Sequence, residues 1–515
     1  MTSHISEMDR LTFRETDEAG NPTATYVYSG DVASSITSKT SGRVDVISSS
    51  SSTSSWSAKP LVSSLGDVFL PSGYPQSVSD DYLPYQIFQY QRYTSNKELT
   101  QPINRKQDSL QAFCSSIAGL LSSRAVLQGV GVGNANASPT SALLLHILQD
   151  ISGRIATICF AHRIGTALEP ECKTYRLAAD VFNDIAMILD CLSPGVPAGP
   201  ARVAVLSTAG VLRALCGVAG GSSKASLSAH FAKWGNLAEL NAKDSSQETV
   251  ISLFGMLVGS VVISHITSFS TTWLILLILL AMHLSMNYAA VRAVQMTSLN
   301  RQRANIAFST LFDSDRSLAL DLVELDSTPG LSNTKTEWTI LTPAQVAEHE
   351  RIFHRDGALQ WTHDSTHTTQ HLGSAQIGVS MSTFLSSLSV SGTSFPRALP
   401  LRRLAAVFAD EFYILFLVPW TTAGNVKFHA SILLKRGCTV EHQLKAWAHA
   451  LLAARVLVRI TTGFSVDVAL DVVERTLGLL NADARFERYL TELSGVGWDV
   501  DIAALETRAG RRIEL

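Results

Sequence analysis

Charge is scarce in this sequence. Asp, Glu, Lys and Arg make up 17% of its 515 residues, against about 25% in ordinary soluble domains. The shortage is concentrated: between Thr249 and Val291 no charged residue occurs at all. Net charge is −3, so no basic field points to nucleic acid. The six cysteines (Cys114, Cys159, Cys172, Cys191, Cys216, Cys438) form no CxxC and no paired framework. That excludes a zinc ribbon and gives no sign of an oxidising compartment. Most of them lie in apolar segments, where a thiol acts as a small hydrophobe. Residues 1–20 carry Glu7, Asp9, Glu15, Asp17 and Glu18 and no apolar core, so neither a signal peptide nor an ordinary transit peptide is expected there. No P-loop and no GxSxG occurs. His349-Glu350 with His354 is one residue too long for HExxH, and His363, His367 and His371 lie in a Thr/Ser-rich stretch, so no metal is expected at either place.

The charge-free run is too long for one membrane crossing. Ser268 to Thr272 is its polar middle, which predicts two arms, Thr249–Thr267 and Trp273–Val291. Each is about 19 residues, or roughly 28 Å of helix, close to the hydrocarbon thickness. A transmembrane helical hairpin is therefore expected, rather than two helices buried in a soluble core. Ser245-Ser246-Gln247-Glu248 has capping-box form before the first arm. Gly255 and Gly259 form a GxxxG face, which admits close approach of another helix, from a protein partner or a second copy of the chain. Trp273 and Tyr288 sit where interfacial anchors would. Lys233, Lys243, Arg292, Arg301 and Arg303 flank the open end, while the turn has no Lys or Arg. The positive-inside rule then places the open end and the C-terminal region on the internal side of an intracellular membrane, with the organelle open.

The remainder divides by composition. Residues 1–60 form a Ser/Thr-rich N-terminus, expected to be largely disordered between Ser34 and Ser57, with a small hairpin pairing Leu11–Glu15 and Thr23–Tyr28. Residues 61–303 form a helical membrane domain. It opens with a Pro- and Tyr-rich irregular segment from Leu70 to Gln86 and a polar loop from Tyr90 to Asp108. Its small-residue-rich helices are expected at Leu110–Gln128, Ser141–Ile164, Tyr175–Leu192, Ala201–Val218 and Ser223–Asn241. Arg124, Asp150, Arg154, Arg163, Arg202 and Arg213 interrupt them, and Asp150 and Arg154, spaced i, i+4, can neutralise each other. Residues 304–400 read as linker with short helices and loops, including a helix start at Thr342-Pro343 and a strand at Gln376–Ser380. Residues 401–515 read as a small α+β domain. Its strands are Phe412–Val418 and Lys427–Leu434, and its helices Val440–Val456, Ser465–Leu480 and Asp483–Leu493. The fold class is thus mainly α: a multi-helix membrane domain with a helical hairpin, plus a small C-terminal α+β domain.

Candidate chemistry gathers on Tyr175–Leu192. Asp180 and Asp184 share a face at i, i+4, with Asn183 beside them. Two carboxylates on an apolar helix are costly unless they meet cations or water. The cluster is either a polar site for a cation, a proton or a neighbour such as Arg176 or Lys173, or a structural network reaching Arg154 or Arg213. Asn236, Lys243, Gln247 and Glu248 concentrate polar groups before the hairpin, to cap the membrane face or to contact a ligand. His283 and Asn287, spaced i, i+4 in the second arm, suit an interhelical hydrogen bond or a transport role. Gly129–Gly133 follows no strand, so a tight helix connection is expected there and not a phosphate loop.

Several motifs together carry a resemblance. They are Pro71-Ser72-Gly73-Tyr74-Pro75 with Asp81-Tyr82-Leu83-Pro84-Tyr85-Gln86, Gly129-Val130-Gly131-Val132-Gly133 with Ala137-Ser138-Pro139-Thr140, and Lys173-Thr174-Tyr175-Arg176 with Ala179-Asp180 and Asn183-Asp184. Asn236-Leu237-Ala238-Glu239, Ala242-Lys243, Ser246-Gln247-Glu248-Thr249, His283, Asn287-Tyr288, Val291-Arg292 and Leu299-Asn300 continue the series. From about Leu61 to Arg303 the chain resembles the root UV-B sensitive (RUS) family. Glu239 stands where the family pattern has Asp, and Gln91–Lys106 reads as an insertion. The resemblance implies membrane association and a part in vitamin B6 homeostasis, with a B6 vitamer as a ligand on that ground alone. It brings no catalytic mechanism. The expectation is a non-enzymatic membrane protein, transporter-like or scaffolding, in contact with membrane lipid and not with nucleic acid. The alternatives are a membrane-bound enzyme built on the carboxylates, or a pure protein-interaction module.

Overall fold

The computed structural model describes residues 10–16, 22–29, 43–48, 70, 77–79, 82, 107–132, 139–266, 268–318, 338–354, 356–363, 368–389, 401–422, 425–460, 465–508 and 511–513. Most of the Pro- and Tyr-rich segment and of the polar loop at Tyr90–Asp108 lie outside these. The described chain is mainly helical, with two small sheets. It divides into two compact units: residues 1–113 with 228–255, and residues 114–227 with 256–515.

In the first unit, β1 (Arg10–Thr16) and β2 (Pro22–Ser29) pair antiparallel with Leu11 opposite Tyr28, as the hairpin expectation requires. A third strand, β3 (Arg43–Ser48), joins β2 inside the stretch expected to be disordered. Its Val44 and Val46 alternate with Arg43 and Asp45, a period-2 signal that the surrounding serines outweigh in a composition count. Farther along, Val78 bridges Ala232, and Tyr82 packs edge-on against Phe231 at 5.5 Å between ring centroids, with Leu240 beneath.

The long helices are α1 (Gln107–Gly129), α2 (Pro139–Ile164), α3 (Cys172–Leu192), α4 (Pro200–Phe231), α5 (Leu237–His265) and α6 (Phe269–Ala293). All but α3 contain a stretch long and apolar enough to cross a membrane by length and composition. Three boundaries differ from expectation. The helices expected at Ala201–Val218 and Ser223–Asn241 merge into α4, which runs through Gly220-Gly221. Neither glycine breaks the helix, and a Cβ on Gly220 would meet the Ala179 Cβ at 3.6 Å, an ordinary packing distance. The break comes instead at Gly235, whose φ of +70° suits glycine. The expected capping box at Ser245 lies inside α5. Ser246 and Thr249 donate their hydroxyl hydrogens back to the Ala242 and Ser245 carbonyls, at 2.8 Å each. The hairpin turn is shorter and earlier than expected: Ser268 is the N-cap of α6 and accepts from the Thr271 N–H.

The charges that interrupt the apolar helices have local partners. Arg124 donates to the Ile263 and Ile266 carbonyls at the end of α5, and Arg202 to the Gly129 carbonyl at the end of α1. Both satisfy helix C-terminal groups otherwise left without partners. Asp150 and Arg154 pair at 2.9 Å, exposed. α1 ends with the Val132 N–H on the Leu127 carbonyl and Gly131 at φ +89°, and the remainder of the expected connection at Gly129–Gly133 lies outside the described residues. The close approach that Gly259 allows is taken within the chain. A Cβ there would lie 2.8 Å from Leu120 and 3.4 Å from the Ile117 Cα, both on α1.

After α6 the chain enters a different kind of structure. α7 (Arg301–Ser314) is buried almost throughout, although residues from 304 onward read as linker. α8 (Pro343–His349) starts at Thr342 with a capping box to Gln345. β4 (Ala358–Thr362) and β5 (Thr369–Ile377) occupy a stretch expected to be mostly loop, followed by α9 (Met381–Ser389) and α10 (Leu401–Val407). The expected strands are present as β6 (Tyr413–Thr422) and β7 (Asn425–Lys435). The expected helices are α11 (Val440–Arg459), α12 (Val466–Asn481) and α13 (Arg485–Gly495), with Thr439 and Ser465 as N-caps of the first two. The sheet order is β4-β5-β7-β6, with β5 parallel to β7 and a short β8 (Arg512–Ile513) also on β7. α11 and α7 form the centre of this core. Trp447 donates its indole N–H to Asn305 at 2.9 Å, and Asn305 donates to the Ala358 carbonyl at 2.7 Å.

Candidate functional site

α3 is amphipathic where its neighbours are not. Its polar face carries Lys173, Arg176, Asp180, Asp184 and Asp190. α3 packs on α6, so this face meets an apolar candidate span at His283 and Asn287. Arg176 reaches along its own helix to Asp180, at 3.2 and 3.4 Å. One turn on, Asp184 Oδ1 lies 2.9 Å from His283 Nδ1. All four side chains of the Asp180, Asp184, His283 and Asn287 set are nearly inaccessible. The Asn287 amide nitrogen is buried with no acceptor among the described residues. Asn183 is half-buried beside them. The cluster can hold a charge or a proton inside an apolar surround, because Arg176 and His283 offset the two carboxylates.

Asp190, at the other end of α3, takes the structural role. It accepts from Ser122 at 2.7 Å and from Arg213, which also reaches Ser122 at 3.2 Å. The network reading of the α3 carboxylates therefore holds for Asp190 and Arg213. Arg154 has no part in it, being paired with Asp150.

Lys173 points away from the cluster. Its ammonium donates to Glu350 at 2.5 Å, and Arg303 donates to the other oxygen of Glu350 at 2.7 Å. Arg303 also donates to the Ser298 carbonyl at 2.6 Å. Burial alone would raise the Glu350 pKa, but the Arg303 and Lys173 charges outweigh it and hold the carboxyl below its usual range. This buried triad joins α3 to the segment after α8. Nothing in the sequence near Glu350 announces it, since its partners lie 47 and 177 residues away.

Asn236, Lys243, Gln247 and Glu248 belong to the other compact unit, on and just before the first turns of α5. Gln247 is fully buried, and the Asn236 amide is enclosed without a hydrogen-bond partner among the described residues. These groups begin a helix that continues into the apolar stretch, and do not cap a separate one.

Sequence reasoning missed a cavity of about 290 Å³ where α2 ends and α3 and α7 begin. Arg163, Glu171, Tyr175, Arg301, His354 and Arg508 are among its lining residues. Arg301 is buried, donates its Nε to the Leu505 carbonyl at 2.7 Å, pairs with Asp356 and lies over the Trp447 ring. Glu171 receives the Asn300 amide at 3.3 Å. Burial pushes its pKa up to about 7 against the pull of Arg303 and Arg301. Gly357, at φ +68°, forms part of the wall. A Cβ there would collide with the Ala375 carbonyl at 2.6 Å.

Residues 55–315, just over half of the chain, match the family model described as the vitamin B6 photo-protection and homoeostasis domain. The chain belongs to this family. RUS family member 1 of Dictyostelium discoideum is 41% identical over 258 residues, covering 49% of this chain and 45% of that protein. The chain thus matches less than half the length of that relative. Protein root UVB sensitive 3 of Arabidopsis thaliana is 27% identical over 441 residues, 84% of this chain and 82% of that protein, so its likeness runs beyond residues 55–315. Protein root UVB sensitive 2, chloroplastic, of Arabidopsis thaliana is 28% identical over 244 residues, 47% of this chain and 51% of that protein. No solved structure matches. Motifs on both sides of the cluster fall within the matched region, as do Arg163, Glu171, Tyr175 and Arg301 of the cavity.

Proposed function

We propose that this RUS-family chain is an integral membrane protein of vitamin B6 homeostasis, transporter-like in action, with the Arg176–Asp180–Asp184–His283 cluster as its working centre. The observation that carries the reading is the placement of paired, buried charge between α3 and α6. Charged groups at such a position are expensive to keep, and in membrane proteins they mark substrate, ion or proton paths. The outward faces of the candidate spans support membrane insertion. Leu144 and Ile158 of α2 and Phe269 of α6 are 61%, 69% and 64% exposed. The flanking Lys and Arg residues support the C-terminal region being on the internal side, and protease protection in sealed vesicles of known sidedness tests that. The family description supports vitamin B6 as the metabolic setting.

The test is uptake of radiolabelled pyridoxine by proteoliposomes, with and without a pH gradient. Asp184→Asn and His283→Gln are each expected to lower the initial rate at least tenfold while helix content and thermal unfolding in detergent stay unchanged. Wild-type uptake at the level of empty liposomes rejects the transporter reading. A scaffold is the second reading, favoured by the extensive C-terminal core fastened to α3 through Glu350. It predicts no uptake, together with complementation of a family null strain that survives Asp184→Asn.

A further inference from the structure

The cavity at the start of α3 and α7 has no part in the charge cluster. Three arginines line it, Arg163, Arg301 and Arg508, against two carboxylates, Glu171 and Asp356. Arg301 forms the buried inner wall, while Arg163 and Arg508 stand exposed at the rim. The lining therefore carries an excess of positive charge before any ligand enters. The N-terminal ends of two helices reinforce it, since Glu171 caps α3 and Arg301 and Gln302 open α7. Helix N-termini bear partial positive charge, and the fork of an arginine matches the oxygens of a phosphate. Tyr175 adds a hydroxyl to the same wall, while the Thr174 hydroxyl donates to the Ile352 carbonyl at 2.5 Å. At about 290 Å³ the space lies at the small end of ligand pockets, enough for one ring or a short chain with its phosphate. The lining includes no lysine, so an aldehyde ligand would be held without an imine.

We propose that this cavity is a binding site for a small phosphomonoester, with Arg163, Arg301 and Arg508 as the phosphate clamp. The site stands on its own geometry. Only the choice of a pyridoxine ring above the phosphate rests on the vitamin B6 reading. A phospholipid headgroup shares the phosphate chemistry, and Arg163 lies in the last turn of a candidate span, so the test separates the two sources.

Full-length protein in detergent is titrated by calorimetry with pyridoxine 5′-phosphate, pyridoxine, glycerol 3-phosphate, inorganic phosphate and dioctanoyl phosphatidic acid. Pyridoxine 5′-phosphate is chosen because it has no aldehyde to react with surface lysines. The expected result is binding of the small phosphates and at least tenfold weaker binding of pyridoxine. Arg163→Gln and Arg508→Gln are each expected to weaken phosphate binding on the order of tenfold. Both positions are exposed, so ligand-free thermal unfolding should not change. Tighter binding of pyridoxine 5′-phosphate than of glycerol 3-phosphate supports the site and its vitamin B6 ligand together. Equal binding supports the phosphate site and detaches it from vitamin B6. Pyridoxine binding as tightly as its phosphate, binding of phosphatidic acid alone, or unchanged phosphate affinity in the variant carrying both Arg163→Gln and Arg508→Gln would each overturn the proposal.

Discussion

The helices up to Ala293 and the α/β body after Asn300 place their apolar residues on opposite sides. In α2, α5 and α6 the large hydrophobic side chains face outward: Ile155, Leu257 and Leu274 are each more than half exposed, while Asp180, Asp184 and His283 are buried. In the C-terminal body Trp447, Phe408, Phe486 and Leu451 are fully buried, and charges lie mainly outside. One chain thus carries two solutions to the same problem, one suited to a hydrocarbon surround and one to water. The contrast also shows where the chemistry can sit. In the first part a buried charge is the exception that needs explaining, whereas in the second it has a hydrogen-bonded role, as with Lys445 held by Glu411 at 2.9 Å.

The sharpest way to break the comparison is to make the same truncation in both parts. Trp447→Ala should cost about 3–5 kcal/mol of stability in detergent, because it opens a cavity and strands Asn305. Ile155→Ala, on the outward face of α2, should cost less than about 1 kcal/mol in the same measurement. Equal losses would mean that α2 is buried against something in the purified protein. The joint between the parts comes next. Glu350→Gln leaves Lys173 and Arg303 buried without their anion, at a cost of about 3–5 kcal/mol. The triple change Lys173→Met, Glu350→Leu, Arg303→Met removes all three charges and should recover much of that loss. If Glu350→Gln alone leaves the unfolding curve unmoved, the triad does not hold the joint. Because the folded pKa of Glu350 lies below its unfolded value, its contribution is present above about pH 4.5 and is lost as pH falls through the folded value.

A smaller effect is expected for Ile155→Asp. Membrane insertion of α2, read by glycosylation mapping, should become less favourable by about 2.5–3.5 kcal/mol, the scale for a charge near the middle of a span. Unchanged insertion would remove α2 from the membrane part. The mildest prediction concerns pH. Glu171 titrates near 7 facing Arg301, Arg303, Glu350 and Asp356. It is neutral well below that value and anionic above it, so phosphate affinity in the cavity should fall between about pH 6.5 and 8. Glu171→Gln should abolish that fall, and a fall that persists in the variant would assign it to another group.

Much of the fold was legible because its signals are local. The C-terminal helices, the apolar hairpin and the β6–β7 pair each follow from residues a few positions apart. The misreadings share one cause, which is that distant packing decided a local question. Gly220-Gly221 reads as a break although the helix runs through it to Phe231. Ser245-Ser246-Gln247-Glu248 reads as a helix start although the helix begins at Leu237. The α3 carboxylates were visible as a cluster, and sequence placed His283 in the facing arm without showing that it meets Asp184. The cavity was invisible because its walls come from residues 163, 171, 301, 357 and 508, brought together only by the fold.

The continuity of α5 carries a mechanical consequence. Its 29 residues make a rod of about 43 Å, of which the apolar stretch from Thr249 to His265 takes about 26 Å. The polar turns from Leu237 to Glu248 then stand some 18 Å proud of the apolar portion as a stiff post. No loop separates Lys243 and Glu248 from the apolar residues that follow them, so the two ends of this stretch share one helix axis.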